Sequence, residues 1–266
     1  MLYIVLPAFN EAASLPPLLE TIEQVCADLP HLITVVNDGS TDTTSEIIEA
    51  YAHTYPTIHQ VNHRQNQGLG AALNSGFQYV LNYNSSLQQP LSDAQKGPVA
   101  PDTVITMDAD NTQPADHIPL LYESICSGAD LTIASRFVDG GEQHGLSIVR
   151  KMLSWGAGKV MNYFVPISGV RDYSCGYRAY RLSLLAEGIR QYGPNIIQSR
   201  NFSGMVELLL KIAPLANKVA EIPLKLHYEL KTGASKMKIL ATIWGYIQLI
   251  YHIKRQRWSS VEWVEE

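Results

Sequence analysis

Thr103-Val104-Ile105-Thr106-Met107-Asp108-Ala109-Asp110 is a short β-branched run that stops at two carboxylates one residue apart. With no polar side to turn towards water, Thr103–Met107 reads as a strand buried on both faces, the kind that belongs to a parallel sheet. Polar side chains that follow such a strand line the ligand crevice of open α/β sheets. The sequence on either side repeats the arrangement. Leu2–Leu6 reads as a first strand ended by Pro7, and Ser14 can cap a helix carrying Leu15, Leu18, Leu19, Ile22 and Val25 at helical spacing. Leu32–Val36 is a second strand, closed by the turn-forming Asn37-Asp38-Gly39-Ser40-Thr41-Asp42; a helix to about Tyr55 and a strand over Ile58–Val61 follow. Gly68–Leu81 is predicted helical, the polar Asn82–Asp102 reads as a surface insertion, and Leu131–Ser135 is another strand. Beyond it come a helix over Ile148–Phe164, a loop to Cys175 and an extended Gly176–Arg181. The alternation predicts an α/β fold: a Rossmann-like, mostly parallel central sheet flanked by helices.

At 266 residues with 46% hydrophobic content, the chain is long enough for one large α/β domain with a substantial core. A net charge of −5 speaks against nucleic-acid binding, which needs a clustered basic surface. Three cysteines at wide spacing, Cys26, Cys126 and Cys175, make neither a disulfide framework nor a zinc ribbon and suit a reducing compartment. The first residues lack the pattern of a secretory signal. The longest apolar stretch, Ile239–Ile253, falls short of the roughly 20 residues of a spanning helix. The expected location is therefore cytoplasmic.

Asp108 and Asp110 at a strand end can hold a divalent cation, and hard oxygen ligands favour Mg2+ or Mn2+; a solvated strand-end turn is the plainer alternative. Two further clusters follow the first two strands. Pro7-Ala8-Phe9-Asn10-Glu11 and Asp38-Gly39-Ser40-Thr41-Asp42 would converge on the same crevice, where a carboxylate can accept from ribose hydroxyls. The second cluster could equally be a helix-capping turn. The first loop has no GxGxxG, and the chain has no GxxxxGK[ST], which counts against dinucleotide and P-loop enzymes. A nucleotidyltransferase is disfavoured too, because Pro7–Leu19 contains no glycine and no basic residue. The eight histidines form no HxxxH or HExxH metal pattern.

Six segments in order, PAFNE (7–11), VVNDGSTDTT (35–44), NQGLGAAL (66–73), MDADNTQP (107–114), ASRF (134–137) and SCGYRAYR (174–181), resemble the family 2 glycosyltransferases of the GT-A fold. Within them the chain is most similar to the dolichyl- or polyprenyl-phosphate sugar transferases, a group that includes dolichyl-phosphate mannose synthase. The resemblance spans about Leu2 to Lys238. It implies an inverting enzyme that moves a hexose from a GDP- or UDP-sugar to a lipid phosphate with Mg2+ or Mn2+. A hydroxyl acceptor and a noncatalytic nucleotide-sugar-binding module are the alternatives.

Carried over by residue, the resemblance implies that Pro7, Ala8, Asn10 and Glu11 line the nucleoside pocket and Asp38 contacts base or ribose. Asp108 and Asp110 would bind the metal on the diphosphate, with Arg136 beside the phosphates. Arg150 and Arg178 would face the acceptor phosphate or the sugar, and Ser235-Lys236 would belong to a loop over the substrate. Asp172 is the remaining carboxylate of the acceptor region and the candidate base for a hydroxyl acceptor. Asn37 stands where the family usually has the first acid of Asp-Asp-Gly, and Asn111-Thr112-Gln113 where several relatives have Leu-Gln.

The chain divides on this reading into a catalytic domain, residues 1–238, and a C-terminal amphipathic segment, residues 239–266. Ile239, Leu240, Ile243, Trp244, Ile247, Ile250, Tyr251 and Trp258 form an apolar stripe, with Lys231, Lys236 and Lys238 before it and Lys254, Arg255 and Arg257 after. A membrane-surface contact, packing on the core and a homodimer interface all fit that pattern.

Overall fold

Strands whose side chains are aliphatic on both faces must be covered on both faces, and the helices between them supply the cover. The computed structural model describes residues 1–87, 100–199, 203–231 and 239–254. Its first half alternates β1 (Leu2–Ala8), α1 (Leu15–Val25), β2 (His31–Asn37), α2 (Thr44–Thr54), β3 (Ile58–Asn62), α3 (Leu69–Leu87), β4 (Thr103–Thr106), α4 (His117–Cys126) and β5 (Leu131–Ser135). The second half contains β6 (Glu142–His144), α5 (Ile148–Phe164), β7 (Arg178–Arg181), α6 (Leu182–Tyr192), α7 (Ser203–Ile212), β8 (Val219–Pro223), β9 (Lys225–His227) and α8 (Ile239–Lys254).

The main sheet runs β3-β2-β1-β4-β7-β5-β8, and a small parallel pair, β6-β9, stands apart from it. Every strand of the main sheet is parallel to its fellows except β7, which lies antiparallel between β4 and β5. Strand order reverses between β1 and β4, and such a reversal opens a crevice at the carboxyl ends of the strands. The register fixes what meets there. Ala8 pairs with Asn37 and Val5 with Thr106, so the loops after β1, β2 and β4 leave one edge side by side. The mostly parallel, helix-flanked sheet is the fold expected from the sequence, and it is a GT-A fold.

Two boundaries differ from expectation. Helix α3 continues to Leu87, through residues whose polarity suggested the start of an insertion. The serines bond back onto the helix (Ser85 to the Leu81 carbonyl, 2.8 Å, and Ser86 to that of Tyr83, 2.7 Å), and Asn84 Nδ2 donates to the Tyr3 hydroxyl and the Asp102 carboxylate. A polar residue docked on the core prolongs the helix where its composition alone would end it. At the other end, Ser14 occupies the N-cap of α1 in a helical conformation and forms no side-chain cap.

The small residues that open α3 have a packing reason. A Cβ on Gly70 would lie 2.3 Å from the Ser199 carbonyl oxygen, so only glycine lets residues 196–199 cross the helix. Asn74 clamps Ile197 at both N–H and C=O, and the buried Glu207 accepts from the N–H groups of Gln198 and Ser199. Lys211, 2% exposed, donates to Glu207 and to the Ile196 carbonyl. Removing one partner of a buried ion pair costs about 3–5 kcal/mol. Lys211→Met should therefore lower the midpoint of thermal unfolding by roughly 10 °C, at about 2–4 °C per kcal/mol for a domain of this size. A melt unchanged within 2–3 °C would mean that the pair does not hold this crossing.

Candidate active site

Loop geometry at the sheet edge starts from short polar side chains that bond their neighbours' backbones. Asn10 adopts a left-handed conformation, φ 51°, and its side chain accepts from Thr41 N–H at 2.8 Å while its own N–H donates to Ser40 Oγ. Glu11 N–H donates to Thr44 Oγ1. The loops after β1 and β2 are thus stitched together, and Asp42 caps the N-terminus of α2 through Thr44 N–H and hydroxyl. Pro7 and Ala8 end β1, opposite Val36 and Asn37.

Asp38 is buried and has both oxygens engaged. Oδ1 takes His63 Nδ1 at 2.7 Å and Gln67 N–H, and Oδ2 takes Gly68 N–H. His63 reaches on to Ser75 Oγ with its other nitrogen. Asp38 therefore ties the 63–68 loop to the end of β2. The side chain beside it in the crevice, Asn37, bonds Asn62 Oδ1 and receives Ser40 N–H.

The two acids after β4 are the centre of the site. Asp110 Oδ1 accepts from the Thr112 hydroxyl (2.7 Å) and N–H, and Oδ2 receives the Lys231 ammonium. Asp108 Oδ2 accepts from Gln113 Nε2 at 2.8 Å, and the Gln113 carbonyl takes Asp108 N–H in return. Gln113 thus meets Asp108, and Thr112 meets Asp110. Burial, then the charge of Asp110, pushes the Asp108 carboxyl up to about 7; Lys231 and Arg136 oppose the rise and Glu11 adds to it. Among the described residues, no group of three or more His, Cys, Asp or Glu is arranged to hold a metal. Two carboxylates nevertheless suit Mg2+ or Mn2+, which keep waters and bind through one or two carboxylates plus substrate phosphates.

Arg136, directly after β5, forms a two-pronged pair with the fully buried Asp172: Nε to Oδ2 and one terminal nitrogen to Oδ1, both 2.7 Å, with that nitrogen also on Ser174 Oγ. Asp172 further accepts the N–H groups of Arg136, Ser174 and Cys175. Burial is the largest single influence and raises its carboxyl, but the Arg136 guanidinium and the N–H groups of Arg136 and Cys175 together leave it below the ordinary carboxylate range. A carboxylate so placed is a poor base. The pairing disfavours the part of base that Asp172 would have with a hydroxyl acceptor, and it places the carboxylate where it can hold the Arg136 guanidinium in one orientation.

Arg178 also departs from expectation. Its address is right, because antiparallel β7 begins at the crevice edge, opposite Thr106 and Ile133. Its direction is inward. The side chain is wholly buried and donates to the carbonyls of Met205 (2.6 Å) and Tyr173 (2.7 Å), bracing α7 and the 173–176 loop beneath the site rather than facing an acceptor. Arg150, near the start of α5, does face the crevice side: it donates to the Tyr228 hydroxyl at 2.9 Å and lies 5.7 Å from that ring's centre. Lys231 lies 5.8 Å from the same ring. Ser235 and Lys236 lie outside the described residues. Sequence reading named Gln113 only as part of a departure from the family pattern and Lys231 only as part of the basic flank of the C-terminal stripe, and it missed Tyr228 and the pairing of Lys231 with Asp110.

Residues 3–189 match the family description Glycosyl transferase family 2, and the chain belongs to that family. It is 30% identical over 233 residues to the undecaprenyl-phosphate mannosyltransferase of Micrococcus luteus, covering 88% of this chain and 86% of that one. It is 28% identical over 235 residues to the polyprenol monophosphomannose synthase of Mycolicibacterium smegmatis, covering 88% and 80%. Among solved structures, glucosyl-3-phosphoglycerate synthase from Mycobacterium tuberculosis, crystallised with Mn2+, UDP and phosphoglyceric acid, superposes with a TM-score of 0.62 at 17% identity, over 99% of this chain and 80% of that one.

The raised Asp108 carboxyl has a measurable consequence. The metal-free folded state keeps a proton that the unfolded chain releases near the ordinary value of 3.8, so this group's contribution is favourable at low pH and is lost as pH rises towards about 7. Asp172, with a depressed value, loses its stabilisation only on acidification below the ordinary range, outside that window. Asp108→Asn should therefore raise the melting temperature of metal-free protein clearly at pH 8 and much less at pH 5. A gain that is equal at both values would remove the case for a strained carboxyl pair.

Proposed function

We propose that the protein moves a hexose from a nucleoside diphosphate sugar to a polyprenyl phosphate at a membrane surface, with inversion at the anomeric carbon. The observation that carries this reading is the meeting of an acid pair, Asp108 and Asp110, with Lys231, Arg136 and Arg150 along one edge of a family 2 fold. Acids to hold a cation, surrounded by cations to hold anions, suit a reaction between two phosphorylated partners. Family membership and the similarity to undecaprenyl-phosphate and polyprenol transferases support the same substrates.

Pro7, Ala8, Asn10 and Glu11 would line the nucleoside side, next to the loop that Asp38 secures. Asp108 and Asp110 would hold Mg2+ or Mn2+, which neutralises the diphosphate when bound. Arg136, aimed by Asp172, would stabilise the charge developing on the departing diphosphate. An oxygen of the acceptor phosphate forms the new bond to the anomeric carbon from the opposite face as the carbon–oxygen bond to the diphosphate breaks, and the diphosphate leaves with that electron pair. A phosphate monoester is largely dianionic at neutral pH, with a second pKa of about 6, so it needs positioning, which Arg150, Ser235 and Lys236 would supply, rather than a base. The commitment of Asp172 to Arg136 supports that choice over a hydroxyl acceptor.

Membrane contact has its own support. Along α5, Ile148, Met152, Trp155 and Tyr163 follow one helical face and are exposed, Tyr163 to 82%. Helix α8 packs on α5 and α7 and exposes Trp244, Ile247 and Tyr251, so packing and surface exposure belong to its two sides. Neither helix contains an acidic residue, while α5 carries Arg150, Lys151 and Lys159, in a chain of net charge −5. No described helix is long and apolar enough to cross a membrane. An acid-free, aromatic-bearing pair of helices suits an anionic lipid surface, with residues 239–266 serving as an appendage to the catalytic part, residues 1–238.

Two tests follow. With Mn2+, a panel of UDP- and GDP-hexoses and a short-chain polyprenyl phosphate, the protein should form a polyprenyl-phosphate hexose, and Asp110→Asn should lower turnover at least 100-fold without unfolding. Transfer to hydroxyl acceptors only would refute the phosphate reading. In vesicle sedimentation the protein should favour anionic over neutral lipid. Replacing Lys151 and Lys159 together by Gln should weaken that partition by about 2 kcal/mol, roughly thirtyfold, at about 1 kcal/mol per basic residue. Equal recovery with and without anionic vesicles would end the membrane proposal.

A further inference from the structure

We infer that Lys231 is a tethered cation that occupies the metal-facing oxygen of Asp110 and gives it up only when a divalent cation and a nucleoside diphosphate arrive together. The inference rests on the proposed donor site and concerns how that site loads. Asp110 Oδ1 is already committed to Thr112, so Oδ2 is the oxygen left for a metal, and Oδ2 is where the Lys231 ammonium sits. The side chains are only 14% and 12% exposed, so this is not a solvent-screened surface pair of negligible strength. Asp108 and Glu11 add further negative charge facing the same ammonium. A divalent cation entering alone would have to expel Lys231 while lying beside its like charge.

A diphosphate changes the balance, because its negative charge gives the displaced ammonium a new partner close by. Tyr228 supplies a local rest for the lysine: its ring lies 5.8 Å from Lys231 Nζ and also carries Arg150, so the ammonium can leave Asp110 without leaving the phosphate side of the crevice. Metal and diphosphate then favour each other's binding through one side chain, and the coupling is reciprocal. Lys231 is in this sense a positioning residue for loading of the donor.

The test measures free Mn2+ by electron paramagnetic resonance during titration of the full chain, alone and with saturating UDP or GDP. Wild type should bind Mn2+ weakly by itself and at least tenfold more tightly with one of the nucleotides. Lys231→Met should bind Mn2+ alone at least tenfold more tightly than wild type and lose most of the nucleotide-dependent gain; Lys231→Gln is the second neutral variant should the first fold poorly. Lys231→Arg, which retains the charge, should behave like wild type, and Asp110→Asn should abolish Mn2+ binding throughout. Nucleotide-promoted binding in wild type together with unchanged affinity for Mn2+ alone in both neutral variants would overturn the inference and leave the donor site standing. Absence of Mn2+ binding to wild type with either nucleotide would overturn the donor site itself, and the inference with it.

Discussion

Two carboxylates one residue apart repel each other, and the end of β4 holds such a pair half-buried, where water relieves little of the cost. Much of the surrounding structure answers that repulsion. Asp110 is saturated on one oxygen by Thr112 and countered on the other by Lys231, while Gln113 folds back onto Asp108 from the same turn. Arg136 acts on Asp108 from the end of β5. Among the described residues none neutralises the pair completely, since the Asp108 carboxyl still stands at about 7. A cation bound at the two acids would relieve that cost, and the stability given up in the metal-free chain would be recovered on binding.

The arginines divide the opposite task. Arg136 is fixed by a buried fork to Asp172, so its guanidinium would meet a substrate with little orientational freedom left to lose. Arg178, six residues after Asp172, is buried on two backbone carbonyls, and its Nε has no hydrogen-bond partner among the described residues. It carries positive charge beneath the 173–176 loop, whose Gly176 lies against Asp108. Both therefore shape the field of the crevice, the first from its wall and the second from below.

How much of this was legible in the sequence follows from the range of the forces involved. Strands β1, β2, β4 and β5 were readable because burial on both faces leaves an unbroken aliphatic run. Asp108, Asp110 and the loops that meet them were readable because parallel strands expose their carboxyl ends on one edge. The residues misread were those whose partners lie far along the chain. Asp172 looked like a free acid until Arg136, 36 residues away, closed on it; Lys231 is 121 residues from Asp110. Arg178 was assigned to the correct edge, and only the antiparallel insertion of β7 shows that its side chain turns inward. Polar composition misled at α3, where docking of Asn84 on Tyr3 prolonged a helix that local propensity would have ended.

A lipid-linked acceptor poses a geometric problem that α5 is suited to solve. The phosphate of such a molecule stays at the membrane surface, because its chain remains in the hydrocarbon, so the residue that recognises it must lie close to the surface that touches lipid. Arg150 and the stripe of Ile148, Met152, Trp155 and Tyr163 share one helix, with Arg150 turned to Tyr228 and the stripe turned outward. At about 1.5 Å rise per residue, Arg150 lies within about half a turn of Ile148 and Met152, and within about one and a half turns of Trp155, along the axis. Ser147 caps that helix by accepting Arg150 N–H, which fixes the turn that carries the arginine. A separate anchor domain could hold the enzyme on a membrane but would not set the height of the crevice above it. A helix with one face on lipid and one residue in the crevice would set both, and its tilt on the surface would then decide which phosphates Arg150 could reach.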